Sequence, residues 1–249
     1  MFILQVALAI LPCILIIFLI YRADRYEKEA IFPLVLCFLL GILITFPLFE
    51  LQALFDRLGI ARNSTILMTI FYSFILISLT EETLKYAVLR IYPYRQSFFN
   101  EPIDGIVYAM MIGMGFAMLE NVFYAYQFEM TTTVLRGFTA VPAHACFAAI
   151  MGFFVGKARF AKEAKKRKRF LLLGWLVPIG VHGLYDFFII QQIYDGLIVL
   201  ALITLGAAIF FSIKLIKEQQ ANSPFEPAAA QESNQNIEPA SLADDTEET

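Results

Sequence analysis

Seven ionisable residues, Glu81, Glu82, Lys85, Glu120, His144, His182 and Asp186, lie inside stretches otherwise apolar enough to cross a bilayer. An acid or a lysine at the centre of a membrane helix costs roughly 3 kcal/mol, so four acids and one lysine cost on the order of 15 kcal/mol unless they face one another. Convergence into one polar pocket recovers that cost. The chain has only two histidines, and both belong to this set. Imidazoles placed beside carboxylates and water are what nucleophile activation or metal binding requires.

Four short motifs carry these residues. In Thr80-Glu81-Glu82-Thr83-Leu84-Lys85, helical spacing puts one ammonium within reach of both carboxylates. Two adjacent acids are not both comfortable as anions in a low dielectric, so one is expected to hold a proton near neutrality and pass it on. The bland alternative is a buried charge pair that fixes helix packing. In Phe116-Ala117-Met118-Leu119-Glu120-Asn121, the acid and amide suit a metal, a water or a substrate backbone, and the preceding Gly113-Met114-Gly115 permits close helix approach. His144 follows Pro142 by two residues. In His182-Gly183-Leu184-Tyr185-Asp186 the i, i+4 spacing sets imidazole and carboxylate on one helix face, so Asp186 can fix the ring of His182.

The elements that must position these groups are membrane helices. Hydrophobic residues make up 59% of the 249, with 25 Phe and a mean hydropathy of +0.68, unlike a soluble domain. Apolar stretches run at about 2–21, 31–50, 65–89, 103–127, 134–156, 170–190 and 196–213. They predict an all-α, polytopic transmembrane bundle of about seven spans. Measured from the middle of each span, Glu81, Glu120, His144 and His182 fall within roughly 8 Å of the midplane. One shared pocket is therefore geometrically possible.

Alternate connections carry fifteen Lys and Arg on one side (Arg22, Arg25, Lys28, Arg90, Arg95, the Lys157–Arg169 cluster, Lys214 and Lys217) and three on the other (Arg57, Arg62 and Arg136). The positive-inside rule then predicts an N-terminus outside and a C-terminus inside, with the first span uncleaved. The Lys157–Arg169 loop is expected to lie on anionic lipid, and no nucleic-acid partner is implied. The expected division is a transmembrane domain over residues 1–217 and a disordered, acidic cytoplasmic tail over 218–249, which has too few large apolar residues to order itself. Cys13, Cys37 and Cys146 sit in apolar stretches and read as buried thiols.

Other intramembrane protease chemistries fit the pattern poorly. There is no HExxH for a site-2 type zinc enzyme, no Gly-x-Ser-x-Gly, and no GxGD to partner Tyr185-Asp186. The order EExxK (Glu81, Glu82, Lys85), FxxxEN (Phe116, Glu120, Asn121), lone His144 and HxxxD (His182, Asp186) instead resembles the PrsW family of bacterial intramembrane proteases, distant relatives of the CAAX prenyl endopeptidases and ABI proteins. The likeness spans residues 78–190 and includes Glu101-Pro102-Ile103-Asp104-Gly105. It implies a multi-pass protein of the bacterial plasma membrane that cuts a membrane-anchored protein, such as an anti-sigma factor in envelope stress. Lys85 and Glu120 depart from the CAAX/ABI pattern, which speaks against prenylated substrates.

The expected catalytic set is Glu81, Glu82, Lys85, Glu120, Asn121, His144, His182 and Asp186. Glu81 or Glu82 would be the base and Lys85 would tune the pair. Glu120, His144 and His182 would hold a divalent metal, with zinc the expected ion. Two histidines polarising the scissile carbonyl without metal remain the alternative within this mechanism. A proton- or cation-coupled transporter is the competing function, because a proton relay uses the same residue types. A non-catalytic scaffold is a third.

Overall fold

A computed structural model of the chain describes residues 2–59, 65–191 and 194–226. It is all-helical, with no strand among the described residues. The helices are α1 (Phe2–Ala23), α2 (Ile31–Arg57), α3 (Ile66–Phe71), α4 (Thr80–Ile91), α5 (Asp104–Gln127), α6 (Met130–Phe138), α7 (Ala140–Phe160), α8 (Ala164–Ile190) and α9 (Ile198–Ala221). A π-helical segment, Tyr72–Leu79, joins α3 to α4, so these three form one span. α6 and α7 form another, broken at Thr139. The result is seven helical stretches long and apolar enough to cross a membrane, matching the sequence expectation in number and order.

α5 and α7 are the two most buried spans and pack against each other at the centre. α1 and α2 cover α5, α8 and α9 cover α7, and the π-helical span leans on α8. Close approach at the centre depends on small residues. A Cβ on Gly152 of α7 would collide with the backbone of Gly105 and Ile106 on α5, and one on Gly115 would collide with the Phe38 carbonyl on α2. The outer shell presents Ile, Leu and Phe from α1 and α9, as lipid-facing helices should.

Alternation of the spans puts the start of α1, the C-terminal ends of α2 and α8 and the α5–α6 turn at one end of the bundle. Gln5 fastens that end, donating to the Phe128 carbonyl at 2.8 Å and to Thr133 Oγ1 at 3.1 Å. At the opposite end the ordered body continues past the expected boundary at 217. α9 runs to Ala221, Gln219 Nε2 donates to the Phe153 carbonyl at 2.9 Å, and Ser223 and Glu226 are buried. The reason is polar: Ser223 Oγ donates to Glu101, and Tyr26 donates to Glu226 at 3.1 Å. The remainder of the expected tail, 227–249, lies outside the described residues.

The same end buries Asp24, Glu29, Glu101 and Asp104. Asp104 Oδ2 caps the entry to α5 by accepting from the backbone N–H groups of Asn100 and Glu101 at 2.7 and 2.9 Å. Burial, reinforced by Asp24, Glu27 and Glu29 and offset in part by the Ser223 hydrogen bond, pushes the Glu101 carboxyl up to about 7.

Two outcomes follow for stability. Gly152→Ala should destabilise the detergent-solubilised protein by about 2 kcal/mol through overpacking, whereas Gly180→Ala, at a helical position with open space around it, should be neutral or stabilising by up to about 1 kcal/mol. Equal melting temperatures for the two variants would contradict the packing at α5–α7. Because Glu101 binds its proton more tightly folded than unfolded, its contribution is complete below the ordinary carboxylate range and is lost as pH rises through about 7. Glu101→Gln should therefore lose less stability than wild type between pH 5 and pH 8, read by thermal unfolding at both values.

Candidate active site

The π-helical segment ends at Leu79, directly before the acidic pair. π turns leave carbonyls out of register with the following α-helix, and here Thr80 Oγ1 takes up two of them, donating to Leu76 and Ile77 at 2.6 and 2.9 Å. α4 then presents Glu81, Glu82 and Lys85 to the interior, all buried. Trp175 of α8 donates to Thr83 Oγ1 at 2.9 Å and fixes the rotation of α4 about its axis. In α8, Pro178 removes one backbone donor from the helix a turn before His182, and the Ile179 carbonyl accepts from Ser78 of the π segment.

Three spans converge on the acidic pair. Lys85 Nζ lies 2.8 Å from Glu82 Oε1, 3.4 Å from Glu81 Oε2 and 3.2 Å from His144 Nδ1, and 4.1 Å from the centroid of the Phe116 ring. His182 Nδ1 lies 2.9 Å from Glu82 Oε1. Both imidazoles therefore turn Nδ1 inward. Each is backed at Nε2 by a carboxylate, His144 by Glu120 at 2.9 Å and His182 by Asp186 at 3.2 Å. Phe147 stacks on His182 with centroids 4.6 Å apart and completes the ring's positioning. Glu81, Glu82, Lys85, Glu120, His144, His182 and Asp186 are thus brought together as the sequence suggested.

Two placements differ from the sequence reading. Glu120 stands behind His144, with Oε1 held by Arg136 Nη2 at 3.0 Å and Oε2 by the imidazole. The residues whose donor atoms all come within 4.8 Å of one another are Glu81, Glu82, His144 and His182. Asn121, one residue further round α5, points away from them, donating to the Ala9 carbonyl of α1 at 2.9 Å and accepting from Arg136 Nε at 3.3 Å. Arg136 itself, counted by sequence as a loop charge, reaches in from α6 with its guanidinium 3.6 Å from the Tyr124 ring centroid. The available signal was its position beside an apolar stretch after an acid lacking a basic partner on its own helix.

Residues 29–216 match the family model described as PrsW family intramembrane metalloprotease. The chain belongs to the PrsW family. It is 34% identical over 201 residues to Protease PrsW of Geobacillus kaustophilus, covering 79% of this chain and 86% of the relative. It is 34% identical to Protease PrsW of Bacillus subtilis (73% and 81% covered) and 30% identical to that of Clostridioides difficile (78% and 82% covered). No solved structure matches the chain. This protein is thus a multi-pass intramembrane metalloprotease acting on a protein substrate, and the transporter reading is not favoured.

The donor set fits the metal that the family implies. Besides the four converging ligand atoms, Glu82 Oε2 is buried with no hydrogen-bond partner and so has a lone pair free for a further donor or cation.

The Arg136–Glu120 pair should behave as a partly buried ion pair. Arg136→Met is expected to cost about 2 kcal/mol by leaving a half-buried carboxylate without its guanidinium, and adding Glu120→Gln should recover most of that loss. Thermal unfolding of the single and double variants measures it. A double variant as unstable as Arg136→Met alone would show that some other contact holds α6.

Proposed function

We propose that this protease cuts a membrane-anchored protein at the outer end of its transmembrane helix, with Glu81 as the proton carrier and zinc held by Glu82, His144 and His182 with Glu81 adjacent. The observation that carries this is the shared inward Nδ1 orientation of two carboxylate-backed imidazoles around an acidic pair. Zinc suits two imidazoles and carboxylate oxygens and leaves a position open. Bound there, it would supply Lewis acidity to the attacking water or the scissile carbonyl.

The protein's own groups divide the remaining work. Glu82 Oε1 is engaged by both Lys85 and His182, whereas Glu81 has a single contact with Lys85 at 3.4 Å. Glu81 is therefore the freer carboxylate to take a proton from water as it attacks the carbonyl and to return that proton to the leaving nitrogen. Glu120 and Asp186 hold the imidazole rings through Nε2, and Arg136 holds Glu120. Peptide hydrolysis then consumes one water and releases two chain ends.

The direction of approach follows from exposure. Glu82, Glu81 and Lys85 are at most 3% exposed, while the side chains of Glu120, Arg136 and Asp186 are 13%, 18% and 17% exposed. Those three lie toward the bundle end that carries the N-terminus. The opposite end carries the Lys157–Arg169 cluster, exposed from Lys162 to Arg169, which suits anionic lipid at a cytoplasmic face. Water thus reaches the site from outside, in the plasma membrane of a bacterium. A transmembrane helix hides its carbonyls in its own hydrogen bonds, and its outer juxtamembrane turn is the easiest place to unwind. The family resemblance makes an anti-sigma factor the leading candidate substrate.

Co-expression with a single-span anti-sigma protein tests the reading. Wild type should leave a membrane-bound stub whose new terminus, read by mass spectrometry, lies on the outer side of the substrate helix. Glu81→Gln should abolish the stub while retaining near-wild-type thermal stability, and exhaustive chelation should silence the purified enzyme until zinc is restored. Cutting by Glu81→Gln would refute the assigned base, and a terminus on the cytoplasmic side would refute the direction.

A further inference from the structure

The Lys85 ammonium sits among the atoms that would bind the metal. Its Nζ touches one oxygen of Glu81, one of Glu82 and Nδ1 of His144, three of the four residues in the donor set, and Glu82 Oε1 links it to His182 Nδ1. A cation coordinated by these atoms and an ammonium hydrogen-bonded to them would compete for the same lone pairs. Two positive charges side by side in so buried a place repel strongly, because little solvent screens them.

We propose that Lys85 is a resident internal counter-cation of the metal site: it holds the donor set neutralised and assembled before loading, and its ammonium must move off these donors for the metal to enter. The inference rests on the metalloprotease reading above. The Phe116 ring, 4.1 Å from Nζ at its centroid, gives the ammonium a second partner as it leaves the carboxylates. The arrangement would let a bundle with four acids near its centre fold before metal is bound. It also sets a threshold on loading, since only a cation that binds these donors better than a tethered ammonium displaces it.

The test is zinc binding by the full-length protein in detergent, measured by competition with a chromogenic chelator at fixed pH. Lys85→Met should bind zinc at least about tenfold more tightly than wild type, and zinc should raise its melting temperature more than that of wild type. Equal or weaker binding by Lys85→Met, with wild type loading zinc stoichiometrically, overturns the proposal and leaves the metalloprotease reading standing. Zinc binding by neither protein overturns both. Should Lys85→Met not fold, Lys85→Ala prepared in n-propylammonium restores the missing charge from solution. Zinc and propylammonium should then compete, the apparent zinc affinity falling as the amine is raised. Zinc affinity indifferent to the amine refutes the shared position.

Discussion

Four carboxylates near the middle of a membrane bundle can be tolerated only with cations placed to meet them, and the fold is arranged around two. Lys85 meets Glu81 and Glu82 from within the same helix, and Arg136 meets Glu120 from a different one. The span containing the guanidinium turns at Thr139, which separates α6 from α7 and lays α6 against α1, α5 and α7, and from there Arg136 reaches Glu120.

The close packing of α5 and α7 is the other half of the same constraint. Glu120 and His144 sit on these two helices, and their 2.9 Å contact requires the helix axes to lie near each other. Glycines at the crossing permit that approach, with Gly105 and Gly152 backbone to backbone. A bulkier crossing would move His144 away from both Glu120 and the acidic pair. Packing residues several turns from the chemistry therefore set its distances.

The spans and the convergent acids and histidines were legible in the sequence, because hydropathy over some twenty residues and charge within it are properties of composition. What escaped depends on direction. Glu120 and Asn121 are neighbours in sequence, but about 100° of helical rotation sends one to His144 and the other to α1. Which nitrogen of His144 faces the acids could not be read from spacing, so Glu120 was read as a ligand when it lies behind the ring. The reach of Arg136 is hidden for a related reason: counting charges by loop assigns each to one side of the membrane and says nothing of a side chain long enough to reach inward. The π turn before Glu81 has no compositional signature at all, since Tyr72–Leu79 is as apolar as any helix around it.

A site proposed to hydrolyse peptide bonds within a membrane must hold water and still exclude it from the lipid face. Here the gradient of burial supplies the division. The acids and lysine at the base are sealed, and the carboxylates that back the histidines form a partly wetted rim with Arg136. Charged groups at a rim keep favourable contact with water, and Phe116 and Phe147 pack against the imidazoles beneath them. The two histidines stand at that boundary, each with one nitrogen toward the rim carboxylate and one toward the buried acids. They are the only side chains in the group that join the two zones. A change that rotates either ring would therefore disconnect the wetted carboxylates from the buried ones, even with every charge still present.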